Sequence, residues 1–594
     1  MEFTGGFFSP GRPPLALQAR SGTEQAAASF QAWLARETHR SVRLNPAACQ
    51  IRLAVAPCEG PESYVLRITR SSVEVVGDDE AGLAYGLSTL RQLIRLHGLR
   101  LPALIIRDRP AFPHRGYSLD ISRGRVPKRP GLKRLVDRLA DWKMNQLQLY
   151  VEHTFDFPFD REIARGVDAL TPEDIRELDQ YAAQRHVRLV PSLACFGHMG
   201  RLLSLPRYRS LAEVGWPARD WASAPWRLRL RGATINPRNP AARRLLRKML
   251  DDFLPCFATP LFNMCGDETY DLGKGVNAPY VKRYGLGRLY ADHVHFLARE
   301  AARHGKRLML WGDVLQHHPE AIARLPRDAV VLDWGYEPDT PFEKAGRFIE
   351  AGLETWVCPS TRGYKVVFNR VETARANIAG YARAGVRLGA QGLLLTDWGD
   401  MGHFNLPACS LHGLALGASL SWNPATDEGR DFDRTFSFHV LGDRSGKAGH
   451  TFAQAGGTEL AEWPRLLLEP GHPVSPELAR RATRRLPYIA GWKRHTSTWT
   501  LAKEDLEEIR RAMEALGLTA RRLMLDHKIA ASRGVFPASL QRTIRVFCRE
   551  MEGFIRRYAA TWRAGYQPAG WRELQRALRR SGRTMQRILK RSGQ

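Results

Sequence analysis

Strand-length apolar runs alternate with helix-length amphipathic runs through the middle of the chain. Eight strand candidates stand out: RGYSLDIS, NQLQLYVEH, VRLVPSLACF, LFNMCGDE, RLMLWGD, AVVLDWGY, ETWVCPS and GLLLTDWGD. Between them lie helical patterns such as LKRLVDRLADWK, TPEDIRELDQYAAQRH, NPAARRLLRKMLDDFL and RLYADHVHFLAREAARHG. Thr171-Pro172-Glu173 and Asn239-Pro240 supply good helix starts, an N-capping side chain followed by a proline whose missing N–H costs nothing there. Strand–helix alternation repeated eight times predicts a (β/α)8 barrel. A doubly wound open sheet is the alternative, and the lack of a Gly-rich phosphate loop after the first strand disfavours it.

The flanks have other textures. Residues 1–109 predict a small α/β domain: the amphipathic FQAWLARETH, two alternating runs in IRLAVA and SYVLRITRSSVEVVG, then the helix AGLAYGLSTLRQLIRLHG. The prolines of RDRPAFP mark its end, and the barrel is expected over 110–424. From 425 to 594 the pattern is helical and Arg-rich, as in AKEDLEEIRRAMEALGLTARRLMLDHKIA and SLQRTIRVFCREMEGFIRRYAATW, which predicts a basic α-helical C-terminal domain.

Composition narrows the class. Apolar residues at 44% and charged residues at 25% are those of a globular protein and exclude extended disorder. The net charge of +28 is the outlier, and roughly half of it lies beyond residue 450. Such a surplus fits either a solvated Arg-rich surface or a polyanion partner. The eight cysteines show no CxxC or paired spacing, so neither a disulfide framework nor a zinc site is expected. His293 and His295 lie two apart on a helical pattern and face different ways, so no metal and no cofactor is expected. The N-terminal stretch lacks a basic region followed by an apolar run, and no window approaches a membrane span. The expectation is a cytoplasmic protein with no membrane partner.

In a (β/α)8 barrel the site is built where the strands end at their C-terminal side. Reading only those ends gives Asp120, Arg123, His153, Asp156, His198, Asp267, Glu268, Trp311, Asp313, Trp334, Tyr364, Trp398 and Asp400. Taken singly, Trp311 reads as core filling and His198 as a buried, satisfied histidine. Together, carboxylates, histidines and tryptophans suit a sugar, whose apolar faces stack on aromatic rings while charged groups take its hydroxyls. The sharpest signal is FNMCGDETY. Adjacent residues in extended backbone point to opposite sides, so Asp267 and Glu268 serve one site only if the strand has already ended.

These segments resemble glycoside hydrolase family 20, the β-N-acetylhexosaminidases. The resemblance covers roughly residues 60–422 and rests on FPHRGYSLDISR, FGHM, CGDET, LWGD, LDWGY and DWGD. It implies a retaining exo-enzyme acting on terminal β-linked N-acetylglucosamine or N-acetylgalactosamine, with the substrate's 2-acetamido group as nucleophile. Glu268 would be the general acid and then base, and Asp267 would hold the acetamido group. Arg123 would bind hydroxyls, His198 would stand behind the acid with Asp156 or His153 completing its network, and Trp311, Trp334 and Trp398 would wall the pocket. Glu268 is expected to have a raised pKa from desolvation among the tryptophans. Two positions depart from the family: Trp398-Gly399-Asp400 replaces the usual Trp-x-Glu, and Tyr364 lacks its usual neighbouring acid. The expected partner is an amino-sugar glycan or glycoside, with no nucleic acid. A catalytically inactive glycan-binding protein on the same scaffold is the alternative; it would be marked by loss of the acid, and Glu268 is present.

Overall fold

The computed structural model describes residues 1–594 except 12–13, 47–48, 216–220, 222–223, 225, 231–232, 457–473, 501, 533–534 and 592–594. The N-terminal part is a seven-stranded sheet from β1 (Glu2–Phe8), β2 (Leu15–Ala19), β3 (Val42–Leu44), β4 (Ile51–Val55), β5 (Tyr64–Ile68), β6 (Val73–Gly77) and β7 (Leu101–Asp108), in the order β1-β7-β5-β6-β4-β2-β3. Helices α1 (Glu24–Thr38) and α2 (Glu80–His97) bury Phe30, Leu34, Leu83, Leu87 and Leu90 against Leu17, Leu53, Leu66 and Val75 of the sheet. Two of its strands, β5 and β6, follow the alternation in the sequence. The edge strand β1 does not, because all but its last residue are exposed and Gly5-Gly6 interrupt it.

A closed barrel of eight parallel strands follows: β8 (His114–Asp120), β9 (Gln146–Val151), β10 (Arg188–Leu193), β11 (Leu261–Asn263), β12 (Arg307–Trp311), β13 (Val330–Trp334), β14 (Glu354–Cys358) and β15 (Gly392–Asp397). Closure comes from β15 pairing with β8, Gly392 opposite His114 and Asp397 opposite Leu119. Inward positions alternate along each strand, so Tyr150, Val190, Leu261, Met309, Leu332, Trp356 and Leu394 fill the interior. Outer helices α3 (Arg129–Asp141), α4 (Pro172–Ala183), α5 (Pro240–Phe253), α6 (Leu286–Ala302), α7 (Val371–Leu388) and α8 (Leu411–Trp422) cover the barrel. Helix α4 begins with a full capping box between Thr171 and Asp174, and the Asn239 side chain caps α5.

Arg115 joins the sheet to the barrel. It is fully buried, pairs with Glu62 at 2.7 Å and lies over the Trp422 ring. Beyond the barrel come α9 (Pro476–His495), α10 (Lys503–Ala531), α11 (Ala538–Gly565) and α12 (Pro568–Arg591). The last three return to the end of the barrel where the strands finish. Lys128 N–H donates to the Gly565 carbonyl, Gln567 N–H to the Val126 carbonyl, and the Tyr558 hydroxyl to the Phe404 carbonyl. No helix among the described residues is long and apolar enough to cross a membrane.

Candidate active site

The strand preceding the acidic pair stops at Asn263, and the chain then leaves extended geometry. Cys265, Gly266 and Glu268 take φ of +65°, +83° and +48°. Left-handed backbone at non-glycine residues costs on the order of 1–3 kcal/mol each and persists where surroundings enforce it. Here Asn263 Oδ1 accepts from the Cys265 N–H at 2.9 Å, and Asp313 Oδ2 accepts from the Glu268 N–H at 2.9 Å. The break lets neighbouring carboxylates converge. His198, itself at φ +56°, places Nε2 3.3 Å from Asp267 Oδ2 and 3.3 Å from Glu268 Oε2. Gly197 allows this approach, since a Cβ there would fall 2.4 Å from the Asp267 carbonyl oxygen.

The charges of this cluster are interdependent. Burial pushes the His198 imidazole down, but Asp267 and Glu268 outweigh it and hold the ring well above its ordinary range. Burial pushes Glu268 up, yet hydrogen bonding and charge from His198, with a hydroxyl donated by Tyr270 at 2.9 Å, bring it below the usual carboxylate value. The expected raised pKa of Glu268 is therefore not found, because the His198 cation 3.3 Å away outweighs the burial. The raised carboxyl is Asp313, pushed to about 7 by burial and then by the charges of Asp267 and Glu268. Asp267 Oδ1 is buried and accepts no hydrogen bond from the described residues.

A second cluster faces it across β8 and β15. Arg123 is buried, 2.9 Å from Asp120, 3.2 Å from Glu152 and 3.7 Å from Asp400. Burial disfavours its charge, and Asp120 and Glu152 more than restore it. Asp120 also accepts the Gly399 N–H at 2.9 Å, which ties the ends of β8 and β15 together. Asp400 lies 3.6 Å from Lys365.

The aromatic residues form a continuous surface. Trp311 is fully buried beneath Trp398, with ring centroids 5.9 Å apart. Trp334 stacks on Tyr336 at 4.9 Å, and its Nε1 lies 3.5 Å from Asp313. Trp398 donates from Nε1 to the Tyr336 hydroxyl at 2.7 Å, and Tyr364 packs 5.8 Å from Tyr336 with Arg362 over its other side. Asp156 stands apart. After Val151 the chain turns outward, the Asp156 N–H donates to the Leu170 carbonyl, and its carboxylate lies 3.9 Å from Arg161. The proposed link from Asp156 to His198 is thus not made. His153 packs against Trp221 instead. Glu152, Tyr270, Asp313 and Tyr336 belong to the constellation without having been assigned a role from sequence. Glu152 was recoverable, because it shares the face of Tyr150, whose hydroxyl donates to it at 3.0 Å. His293, buried under Phe196, makes a 3.0 Å contact with the Cys195 carbonyl through Nε2, well away from His295.

The rim of this site is held by the C-terminal helices. Buried Arg125, two residues after Arg123, donates to the Asn405 carbonyl and lies 2.6 Å from His403 Nε2. Its guanidinium lies over the ring of Tyr566, whose hydroxyl donates to Glu508; Glu508 also accepts the Ala408 N–H at 2.9 Å. The loops bearing Arg123 and Asp400 are therefore clamped from one side by α10 and by Tyr566, just beyond α11.

Comparison with known proteins agrees with this architecture. The profile of the glycosyl hydrolase family 20 catalytic domain matches residues 112–383, and that of the family's domain 2 matches residues 2–109. A β-hexosaminidase of Vibrio furnissii is 24% identical over 341 residues, covering 51% of this chain and 54% of that protein. A β-N-acetylhexosaminidase of Cellulomonas fimi is 24% identical over 339 residues, covering 54% and 62%. The chain thus spans about half the length of the curated relatives it matches. Among solved structures, a chitobiase of Flavobacterium johnsoniae superposes with a TM-score of 0.61 at 17% identity, over 91% of this chain and 94% of that one. An exo-β-N-acetylglucosaminidase of Vibrio harveyi in complex with N-acetylglucosamine gives 0.59 at 17%, over 78% and 77%. At such identities these likenesses speak for the fold.

Proposed function

The chain belongs to glycoside hydrolase family 20, and from that membership and the geometry of its site we propose that it is a retaining exo-β-N-acetylhexosaminidase working through the substrate's own acetamido group. The observation that carries this reading is the Asp267–Glu268–His198 cluster, with a buried Asp267 oxygen that accepts nothing from the described residues. A buried acceptor without a partner is rare and suits an incoming donor, here the acetamido N–H. Glu268 protonates the glycosidic oxygen as the carbon–oxygen bond breaks, and the acetamido carbonyl oxygen attacks the anomeric carbon from the other face. Asp267 stabilises the positive charge that develops on the resulting oxazolinium-like ring. Glu268, now a carboxylate, removes a proton from the water that opens this ring, so configuration is retained and the acid is restored.

His198 is the proton reservoir in this scheme. With both carboxylates 3.3 Å away, the imidazole holds the proton in the free site, and loss of that proton to Glu268 arms the acid. Arg123 and Asp400 take the outer hydroxyls, while Trp334, Trp398 and Tyr336 cover the sugar's apolar faces. The test compares a chromogenic β-N-acetylglucosaminide with the matching β-glucoside. Wild type should release chromophore from the acetamido sugar only, and Glu268→Gln should lower kcat by roughly 10²–10⁴-fold, the usual worth of a general acid. Equal cleavage of the glucoside, or a Glu268→Gln variant of unchanged rate, would refute the scheme.

A further inference from the structure

The last two helices carry a large share of the positive charge of this molecule, and the catalytic reading does not use it. Between Ala538 and Arg591 the chain carries fourteen Arg and Lys residues against three acids. On α12 the concentration becomes a stripe: Arg576, Arg579, Arg580, Arg583 and Arg587, continued by Lys590 and Arg591, all exposed and recurring every three or four residues. The opposite face, Trp571, Leu574, Leu578 and Met585, is buried. The one acid of the helix, Glu573, is engaged by Arg229 at 3.1 Å.

Three physical points give this stripe a meaning. First, the apolar face is already occupied by packing, so α12 cannot lie in a membrane as a basic amphipathic helix would. Second, like charges three or four positions apart oppose the helix, and among the described residues no carboxylate pairs with them. Third, all but one of these cations are arginines, whose planar forks match carboxylates in pairs. The place of the helix also matters. A Cβ on Gly570 would fall on the carbonyl oxygen of Gly124, the residue after Arg123, and Ala569 N–H donates to Asp168 at 2.8 Å. Helix α12 therefore starts at the rim of the site, and its stripe extends about 23 Å along the helix at 1.5 Å per residue.

We propose that the α12 stripe binds the carboxylate-bearing body of a glycan strand whose terminal amino sugar sits in the catalytic pocket. The proposal rests on the hexosaminidase reading and narrows its substrate to anionic strands.

Binding is measured in the Glu268→Gln protein, which keeps the stripe intact and spares the ligand. The probes are an oligosaccharide of alternating β-linked N-acetylglucosamine and glucuronate, with N-acetylglucosamine at its free end, and a chito-oligosaccharide of equal length. The carboxylated strand should bind at least tenfold more tightly at low ionic strength, and the advantage should vanish at high salt. It should also vanish in an Arg579→Glu/Arg583→Glu/Arg587→Glu variant, whose turnover of the small chromogenic glycoside stays at the wild-type value. Equal binding of the two strands overturns the proposal, as does an advantage that survives charge reversal. Stripe-dependent binding of duplex DNA tighter than that of the carboxylated strand overturns it too, in favour of a nucleic-acid partner. Because binding is read without turnover, a failure of the hexosaminidase reading shows separately, as loss of cleavage of the small glycoside.

Discussion

Asp313 is where burial and charge are most closely balanced. Its carboxylate accepts the Glu268 N–H and is pushed to about 7, so near neutrality it hovers between neutral and charged beside two other carboxylates. Ionised, it raises the proton affinity of Glu268; replaced by asparagine, it no longer does. Asp313→Asn retains an oxygen for the Glu268 N–H, so the backbone of the acid stays in place. The alkaline limb of kcat/KM, set by loss of the proton that His198 holds for Glu268, should then move to lower pH by roughly one unit, since the pair sheds that proton more readily with one negative charge fewer beside it. An unmoved limb in the pH–rate profile would sink this coupling. The residue scale also shows what sequence can and cannot reveal. Asp267, Glu268, Arg123 and the tryptophans were legible because chemistry-bearing residue types cluster at strand ends. Glu152 was passed over for its neighbours His153 and Asp156, although period-two alternation from Tyr150 singles it out. The lowered pKa of Glu268 was not legible, because it depends on the left-handed turn that swings it onto His198.

At the scale of elements, the C-terminal helices brace the loops that carry Arg123 and Asp400. Arg125 joins the loop after β8 to the loop after β15, and Tyr566 and Glu508 cover it from outside. Lysine cannot span both the Asn405 carbonyl and His403 as the planar fork does. Arg125→Lys should therefore cut kcat/KM about tenfold through a rise in KM, as the Arg123–Asp400 hydroxyl site loosens. Tyr566→Phe should act in the same direction, with a stability loss of about 1–3 kcal/mol for the buried acceptor left without its donor. Steady-state kinetics with melting curves separate the two effects, and unchanged KM in both variants would leave the clamp without a catalytic role. All eight barrel strands could be read from sequence because each is a short apolar run bounded by helical periodicity. The small sheet was half hidden: β1 is an exposed edge, β3 has three residues, and neither carries an alternation long enough to register.

At the scale of the whole molecule, a charge of +28 is unevenly borne. The Arg pairs spaced three or four apart along α12 cost the folded state about 2 kcal/mol in sum at low ionic strength, taking a few tenths for each pair. Salt screens such repulsion over about 10 Å at 0.1 M. The melting temperature should accordingly rise by several degrees with added sodium chloride, and Arg579→Gln/Arg583→Gln/Arg587→Gln should flatten that dependence; identical salt curves would contradict it. The sequence revealed the surplus but not its arrangement, since only packing decides which face of α12 stays in water.

The clamp by Tyr566 also has a consequence in time. A chain made from its N-terminus completes the strands of the barrel at Asp397 and its last covering helix at Trp422, while Tyr566 follows 144 residues later. At about 5–20 residues per second, that interval is roughly 7–30 seconds of synthesis. During it the nascent protein has a barrel but lacks the clamp over the loops that carry Arg123 and Asp400. The braced form of these loops is thus delayed until Tyr566 has been made, and a message truncated before Tyr566 yields a barrel with no clamp.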